Sequence, residues 1–306
     1  MKPWCTILVP TFNGARHLGA LMWSLSQQAG GSCPVLFIDD ASMDETVAIV
    51  SESDLPRVRL MRNERNYGLF GTLNRALNAV ETDYVSLVFP DDTVETTYLQ
   101  EMRRLVERHP YVSFLWAGYT NIGDLGETIW IGRDSGHEEI IPPGVQPWNA
   151  ALRRGCYWTI SGSVSKTARL RHHGFRADLP QCGDYEFLLR AIRQDTFLYY
   201  ERLLTRLRIH PAQASHRYWW RSTDLREYLL LYREQKLRFK ADFDTTLQTH
   251  LARKFAVKVA RRSLQQASRG LFREALGTAA LFPKMLQSVF GSGGGMAKPP
   301  PVRRRG

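Results

Sequence analysis

No run in this 306-residue chain reaches the roughly 18 to 20 consecutive apolar residues that a bilayer-spanning helix needs, so an integral membrane protein is not expected. The opening Met1-Lys2-Pro3-Trp4 leads straight into a strand-like run without the apolar core of a signal peptide, and Sec export is not expected either. Cysteine is scarce. Cys5, Cys33, Cys156 and Cys182 are scattered with no C-x-x-C, which argues against a disulfide framework or a structural zinc and suits reduced thiols in a cytoplasmic protein. The first strand-helix turn lacks the G-x-G-x-x-G fingerprint, and no P-loop is present, which disfavours dinucleotide oxidoreductases and P-loop NTPases. Helix-turn-helix, zinc-finger and RNP motifs are missing as well, so no specific nucleic-acid partner is expected. The chain shows no internal repeat.

What is present is the balance of a folded chain, 43% hydrophobic and 23% charged, with length for one sizeable core or two domains. Charge is unevenly spread. Residues 1–200 carry 19 Lys/Arg against 23 Asp/Glu, and residues 201–306 carry 22 against 7, so the net +11 arises in the last third. Such a concentration suits an acidic partner (nucleic acid, an anionic bilayer or a phosphate-bearing substrate) or is simply a solvated basic surface.

Short apolar runs alternate with amphipathic stretches from the start. Cys5–Val9 predicts a buried strand, Ala15 to Gln28 a helix, Val35–Ile38 a second strand, and the residues after Ser42 a helix with Glu45 completing a capping box. Val58–Met61, Phe70–Val80 and Val85–Phe89 continue as strand, helix and strand, with a further helix over Thr93 to Arg108. Four strand-helix repeats predict an α/β fold with a mainly parallel sheet flanked by helices. Beyond residue 110 the pattern loosens: a strand over Val112–Trp116, hairpin and loop over 120–150, a strand over Tyr157–Val164, a helix over Asp184–Arg193 and a strand over Leu203–Ile209. Basic amphipathic helices are expected over 222–240, 243–267 and 270–282, and a disordered basic tail over 291–306. The expected domains are therefore 1–216, a helical extension over 217–290, and the tail.

Ligands of such sheets sit at the carboxyl ends of the strands, where strand order reverses. Polar clusters stand there: Pro10-Thr11-Phe12-Asn13, Asp39-Asp40 and Asp91-Asp92. Two adjacent carboxylates at one strand end repel unless a cation shares them, so Asp91-Asp92 reads either as a Mg²⁺ or Mn²⁺ site holding a diphosphate or as an acidic turn. Asp184 reads as a helix cap or a functional acid, and His210 as a loop histidine.

In order, Val9-Pro10-Thr11-Phe12-Asn13, Ser24-Leu25-Ser26-Gln27-Gln28, Asp39-Asp40-Ala41-Ser42-Met43-Asp44, Asn66-Tyr67-Gly68 with Asn74-Arg75-Ala76, Gly174-Phe175 to Leu179, Gly183-Asp184 to Arg190, and Leu207-Arg208-Ile209-His210 resemble the inverting family 2 glycosyltransferases of GT-A fold over residues 4–215. The resemblance implies a nucleotide-sugar donor bound by Pro10, Thr11, Asn13, Asp40, Asn66, Gly68, Asn74 and Asp91. It implies Mn²⁺ or Mg²⁺ on Asp92, Asp91 and His210, and Asp184 as catalytic base toward a saccharide or lipid-linked acceptor. Two residues depart from the pattern: Phe89 replaces the first acid of a full D-x-D-D, and Gly183 stands where many relatives have Glu. They motivate an alternative, a catalytically inactive relative that binds nucleotide sugar or a partner. The processive-synthase Q-x-x-R-W is absent, so single additions are expected, in cell-envelope polysaccharide or glycolipid synthesis. The basic helices suggest a cytoplasmic enzyme held peripherally against an anionic inner membrane face.

Overall fold

The computed structural model of the chain describes residues 3–29, 33–213 and 218–290, with side chains to residue 288. The basic tail expected over 291–306 lies outside the described residues. The chain divides into two compact units, Met1–Arg217 and Tyr218–Gly306.

In the first unit, β1 (Cys5–Thr11) and β2 (Val35–Asp39) are buried at every position. A parallel strand covered by helices on both faces must be apolar on both, which is why these runs are continuous rather than alternating. Helices α1 (Ala15–Ser26), α2 (Thr46–Ser51) and α3 (Gly68–Leu77) connect them to β3 (Val58–Arg62) and β4 (Tyr84–Leu87), all parallel, in the order β3-β2-β1-β4. The chain moves from β1 outward to β2 and β3, then returns to the other side of β1 with β4. Strand order therefore reverses at β1.

Past β4 the sheet becomes mixed. β5 (Thr93–Val94) precedes α4 (Tyr98–Arg108); then come β6 (Phe114–Ile122), β7 (Thr128–Ile131), β8 (Glu138–Ile141), α5 (Val145–Arg154), β9 (Ser163–Lys166), α6 (Thr167–His173), α7 (Gly183–Ala191) and β10 (Phe197–Arg208). β9 lies antiparallel between β4 and β6, while β10 runs parallel to β6. Leu18, Leu21 and Leu25 of α1 and Tyr98, Met102 and Leu105 of α4 pack with Ile7, Val9 and Phe37 in one core. Each such side chain contributes about 1.5–3 kcal/mol on burial. The Tyr98 hydroxyl meets Ser86 Oγ at 2.8 Å, so its polar end is matched.

Several sequence expectations move. Ser42 caps no helix: α2 starts at Thr46, and Ser42 Oγ instead accepts the Asn13 N–H at 2.8 Å. Thr93-Val94 pair with β10, so α4 begins only at Tyr98. The strand expected over 157–164 is reduced to Ser163–Lys166, because Gly162 turns at φ +76° and an added Cβ there would lie 2.2 Å from Thr205 Oγ1. The final strand starts earlier, at Phe197, and α5 begins within the stretch expected to be hairpin and loop.

The second unit comprises α8 (Thr223–Arg238), a 3₁₀ turn (Lys240–Asp242), α9 (Thr245–Ala267), α10 (Phe272–Ala279) and α11 (Leu281–Phe290). Asp244 caps α9 by accepting the Leu247 N–H at 2.6 Å. Buried Arg262 stacks 3.8 Å from the Trp219 ring and pairs with Asp224 at 3.0 Å. Among the described residues no helix is long and apolar enough to cross a membrane.

Candidate active site

The turns that leave β1 and β2 are laced together. α1 has no side-chain cap of its own. The neighbouring turn supplies one: Ser42 Oγ accepts from Asn13 N–H, Thr46 Oγ1 from Gly14 N–H at 2.9 Å and Asp44 Oδ2 from Ala15 N–H at 3.2 Å. Asn13, in the left-handed region at φ 49°, returns a bond by accepting the Met43 N–H at 2.9 Å. Pro10 and Thr11 are buried in β1 itself, and the Thr11 carbonyl accepts the Asp40 N–H at 2.8 Å.

The two acids ending β2 do different work. Asp40 accepts from Asn63 Nδ2 and the Tyr67 N–H at 2.8 Å, and from the Gly68 N–H at 2.9 Å, so its carboxylate is filled by the loop that enters α3. Asn66 Oδ1 also accepts the Gly68 N–H, at 2.9 Å. Asp39 is fully buried; one oxygen accepts the Ser42 N–H at 3.0 Å and the other has no hydrogen-bond partner. A buried carboxylate oxygen left open is costly to the fold. Sequence reasoning chose Asp40; the open oxygen belongs to Asp39.

At the end of β4 the chain turns through Phe89–Asp92. Asp92 is buried, its Oδ1 accepting the Arg208 N–H at 2.8 Å, with the Ser161 hydroxyl also on its carboxyl. Burial, then the neighbouring Asp91 charge, pushes it up to about 8. Asp91 is more open and meets His210 Nε2 at 3.2 Å. Arg208 ties these pieces together: its Nε donates to the Asp91 carbonyl at 2.9 Å and its Nη1 to the Gly123 carbonyl at 2.8 Å and the Asp124 carbonyl at 3.1 Å. The β6–β7 turn is thereby held beside His210.

That turn completes a cluster which the sequence did not indicate. Liganding atoms of His17, Asp124 and His210 lie within 4.8 Å of one another. His17 Nε2 is 3.1 Å from Asp124 Oδ1 at an angle that makes no hydrogen bond, and the His17 and His210 rings are 4.9 Å apart. His17 Nε2, Asp124 Oδ1 and His210 Nδ1 are buried atoms without hydrogen-bond partners. Burial, followed by the charge of Arg208, holds His17 below the usual histidine range, which keeps its ring neutral and able to donate a lone pair. Two imidazoles and carboxylates suit a transition cation such as Mn²⁺ better than Mg²⁺.

Asp184 stands in the first turn of α7. Its Oδ1 accepts the Tyr185 N–H at 2.7 Å, and burial pushes the carboxyl up to about 6 although its edge still touches solvent. The Cys156 thiol, held by the Trp158 carbonyl at 3.4 Å, lies against it. Arg190 positions the helix by donating two hydrogen bonds to the Glu186 carboxylate and by donating to the His173 and Gly174 carbonyls. Asn74 holds the same segment: its amide exchanges two hydrogen bonds of 2.8 Å with the backbone of Phe175. Asn74 is therefore fully used in joining α3 to the approach to α7.

Residues 6–167 match the profile of Glycosyl transferase family 2, more than half of the chain. The chain belongs to that family. An uncharacterised family relative by name, a glycosyltransferase of Haemophilus influenzae, is 24% identical over 212 residues, 69% of this chain and 70% of its own. The succinoglycan biosynthesis protein ExoO of Rhizobium meliloti is 33% identical over 106 residues, 35% of this chain and 30% of its own. Among solved structures, residues 1–349 of TarS from S. aureus align with a TM-score of 0.65 over 94% of this chain and 81% of that one, at 16% identity. The mannosyltransferase PcManGT of Pyrobaculum calidifontis, solved with GDP-Man and Mn²⁺, aligns at 0.54 over 94% and 86%, at 15% identity. These likenesses establish the GT-A-like fold.

The glycine that departs from the family 2 pattern has a packing reason. A Cβ on Gly183 would lie 2.4 Å from the Phe70 ring, which stacks on Phe175 at 5.4 Å, and Phe175 on Phe187 at 4.8 Å. The space a glutamate would need is filled by this aromatic column. Gly183→Glu is expected to cost at least about 2 kcal/mol from overpacking and a displaced α7, read as a lower denaturation midpoint in urea. A variant as stable as the parent would show the column is not rigid.

Proposed function

We propose that this chain transfers a glycosyl group from a nucleotide-diphosphate sugar to an acceptor hydroxyl, with inversion and one addition at a time. The observation that carries the reading is the group of Asp91, His210, His17 and Asp124 at the point where strand order reverses, with its open nitrogens and oxygen. On a family 2 fold that is where a donor diphosphate belongs.

The donor base would lie against the β1 and β2 ends, where Thr11 and Asn13 shape the turn. Asp40, Asn66 and Gly68 would set the loop around it. A divalent cation held by Asp91 and His210, with His17 and Asp124 in reach, would screen the charge of the departing diphosphate. Asp184 would take the proton from the acceptor hydroxyl. Its raised pKa leaves it ionised at neutral pH and brings its basicity closer to that task. TarS, solved with UDP-GlcNAc, and PcManGT, solved with GDP-Man, support a donor of the UDP- or GDP-sugar kind, and ExoO, named for succinoglycan biosynthesis, supports a cell-envelope glycan as product class.

The test is thermal melting with UDP, GDP, TDP and CDP, each with Mn²⁺, Mg²⁺ or EDTA. A ligand present at a hundred times its Kd stabilises the folded state by about 2.7 kcal/mol. The expected result is a rise of several degrees with one nucleotide plus Mn²⁺, reversed by EDTA. No shift with any pair overturns the reading, and a shift without turnover of the matching sugar nucleotide favours the inactive relative.

A further inference from the structure

Helix α9 carries five Lys/Arg side chains and no acidic one in 23 residues. Its buried stripe, Leu247, Leu251, Phe255, Val259 and Gln266, faces the other helices of its unit. At 100° per residue, Arg253, Val257, Arg261 and Leu264 fall within a single opposite face about 80° wide. All four are exposed, Val257 by 57% and Leu264 by 70%. After the turn at Gly270, α10 opens with Phe272 and Leu276, 65% and 73% exposed, and with exposed Arg273 between them.

Arginines alone on such a face would be ordinary solvation. Here no carboxylate among the described residues forms an ion pair with Arg253, Arg261 or Arg273: Asp224 pairs with Arg262, Asp244 caps α9, and the exposed Glu274 beside Arg273 bridges to none of them. Burial, then the charge of Lys258, pushes Lys254 down to about 8, so positive charge is crowded beside the same face. Bulky aliphatic and aromatic side chains alternate with these cations. A nucleic-acid backbone rewards the cations but gives Val257, Leu264 and Leu276 nothing to bury against. An anionic bilayer rewards both, taking the guanidinium groups at its phosphates and the apolar side chains at the acyl boundary.

We propose that the exposed side of α9 and the start of α10 dock this chain on an anionic lipid bilayer, through Arg253, Arg261 and Arg273 and through Val257, Leu264, Phe272 and Leu276. The inference stands independently of the transfer reading.

The experiment is co-sedimentation of the full chain with phosphatidylcholine vesicles, and with 7:3 phosphatidylcholine:phosphatidylglycerol vesicles, at low and high salt. Binding is expected only to the anionic vesicles and is expected to weaken with salt. One cation near the surface is worth about fivefold, so R253E/R261E should lose at least about 25-fold. V257D/L264D, which leaves every arginine in place, should lose at least about tenfold. Both pairs are exposed, so helix content by circular dichroism and the Mn²⁺-nucleotide melting shift are expected to match the parent, and R253Q/R261Q should fall between. The proposal is overturned if the parent ignores anionic vesicles, or if both double variants bind as the parent does. It is equally overturned if V257D/L264D leaves vesicle binding intact while random-sequence RNA competes for the same arginines.

Discussion

Asp184→Asn is expected to lose at least about a hundredfold in kcat and yet to melt at a higher temperature than the parent. The first effect follows from removing the proposed proton acceptor, since the other acid of that first turn, Glu186, is paired with Arg190; a positioned general base contributes on the order of 10² to 10⁴. The second follows from the direction of its pKa. Burial raises the folded carboxyl to about 6, above the ordinary value, so the folded state holds the proton more tightly than the unfolded chain. Stability from the neutral form is complete below the unfolded pKa and is lost as pH rises through about 6. At pH 8 the ionised carboxylate is therefore a net cost, and asparagine relieves it. With allowance for its partial solvent access the gain is about 1–2 kcal/mol, or roughly 2–8 °C for a unit of this size. The gain should vanish near pH 4, where the parent carboxyl is itself neutral in the fold. Activity should show the mirror image, with kcat falling below about pH 6 as the base is protonated. Melting curves at pH 4 and 8, with turnover of the nucleotide sugar selected by the thermal panel, check both halves. Full activity in the variant would remove Asp184 from the chemistry, and an unchanged melting temperature at pH 8 would remove the buried charge.

Where burial is two-sided, the fold was legible. β1 and β2 are apolar at every position because helices cover both faces, and no other reading of Cys5–Val9 or Val35–Ile38 competes. Legibility failed where tertiary contact overrode a local pattern. Tyr157–Val164 has the composition of a strand, but the positive φ of Gly162, fitted against Thr205, turns the chain before Ser163. α5 escaped notice because Pro147 suggests a loop, although proline in a first helical turn removes no intrahelical bond, and Trp148, Ala151 and Leu152 carry a readable i, i+3, i+4 stripe.

For the candidate site, the motif residues were all visible, but not which of them keep a free atom. Asn74, Asp40 and Arg208 each bond within the fold: Asn74 to the Phe175 backbone, Asp40 to Asn63 and the Tyr67 and Gly68 N–H groups, and Arg208 to Asp92 and the Asp91 carbonyl. Asp39 was within reach of sequence reasoning, as the last residue of a buried strand with its side chain forced inward. His17 and Asp124 were not. Arg16 and Asp124, partners in an ion pair, stand 108 residues apart, and neither turn carries a metal-ligand spacing that would announce their meeting.

The adjacent acids Asp91 and Asp92 are expected to fail in opposite ways. Asp91 is partly open and faces His210, so Asp91→Asn should abolish the Mn²⁺-dependent part of nucleotide binding, at least about a hundredfold in kcat/KM, while leaving the fold intact. Asp92 receives the buried Arg208 N–H, so Asp92→Ala should cost about 1–3 kcal/mol by leaving that donor unmatched. Asp92→Asn separates charge from structure, since its amide oxygen can still accept from Arg208. The raised value of about 8 means that the neutral form of Asp92 stabilises the fold at low pH and that this contribution is lost as pH rises through 8. Asp92→Asn should therefore resist alkaline destabilisation better than the parent and keep its Mn²⁺-dependent melting shift. Asp91→Asn should also flatten the alkaline loss, because removing the neighbouring charge takes away the second cause of the shift. Urea midpoints at pH 7 and 9, with and without Mn²⁺ and nucleotide, distinguish the cases. If Asp92→Asn loses the metal-dependent shift and Asp91→Asn keeps it, the cation belongs to Asp92, and the bond to Arg208 must break when the donor binds.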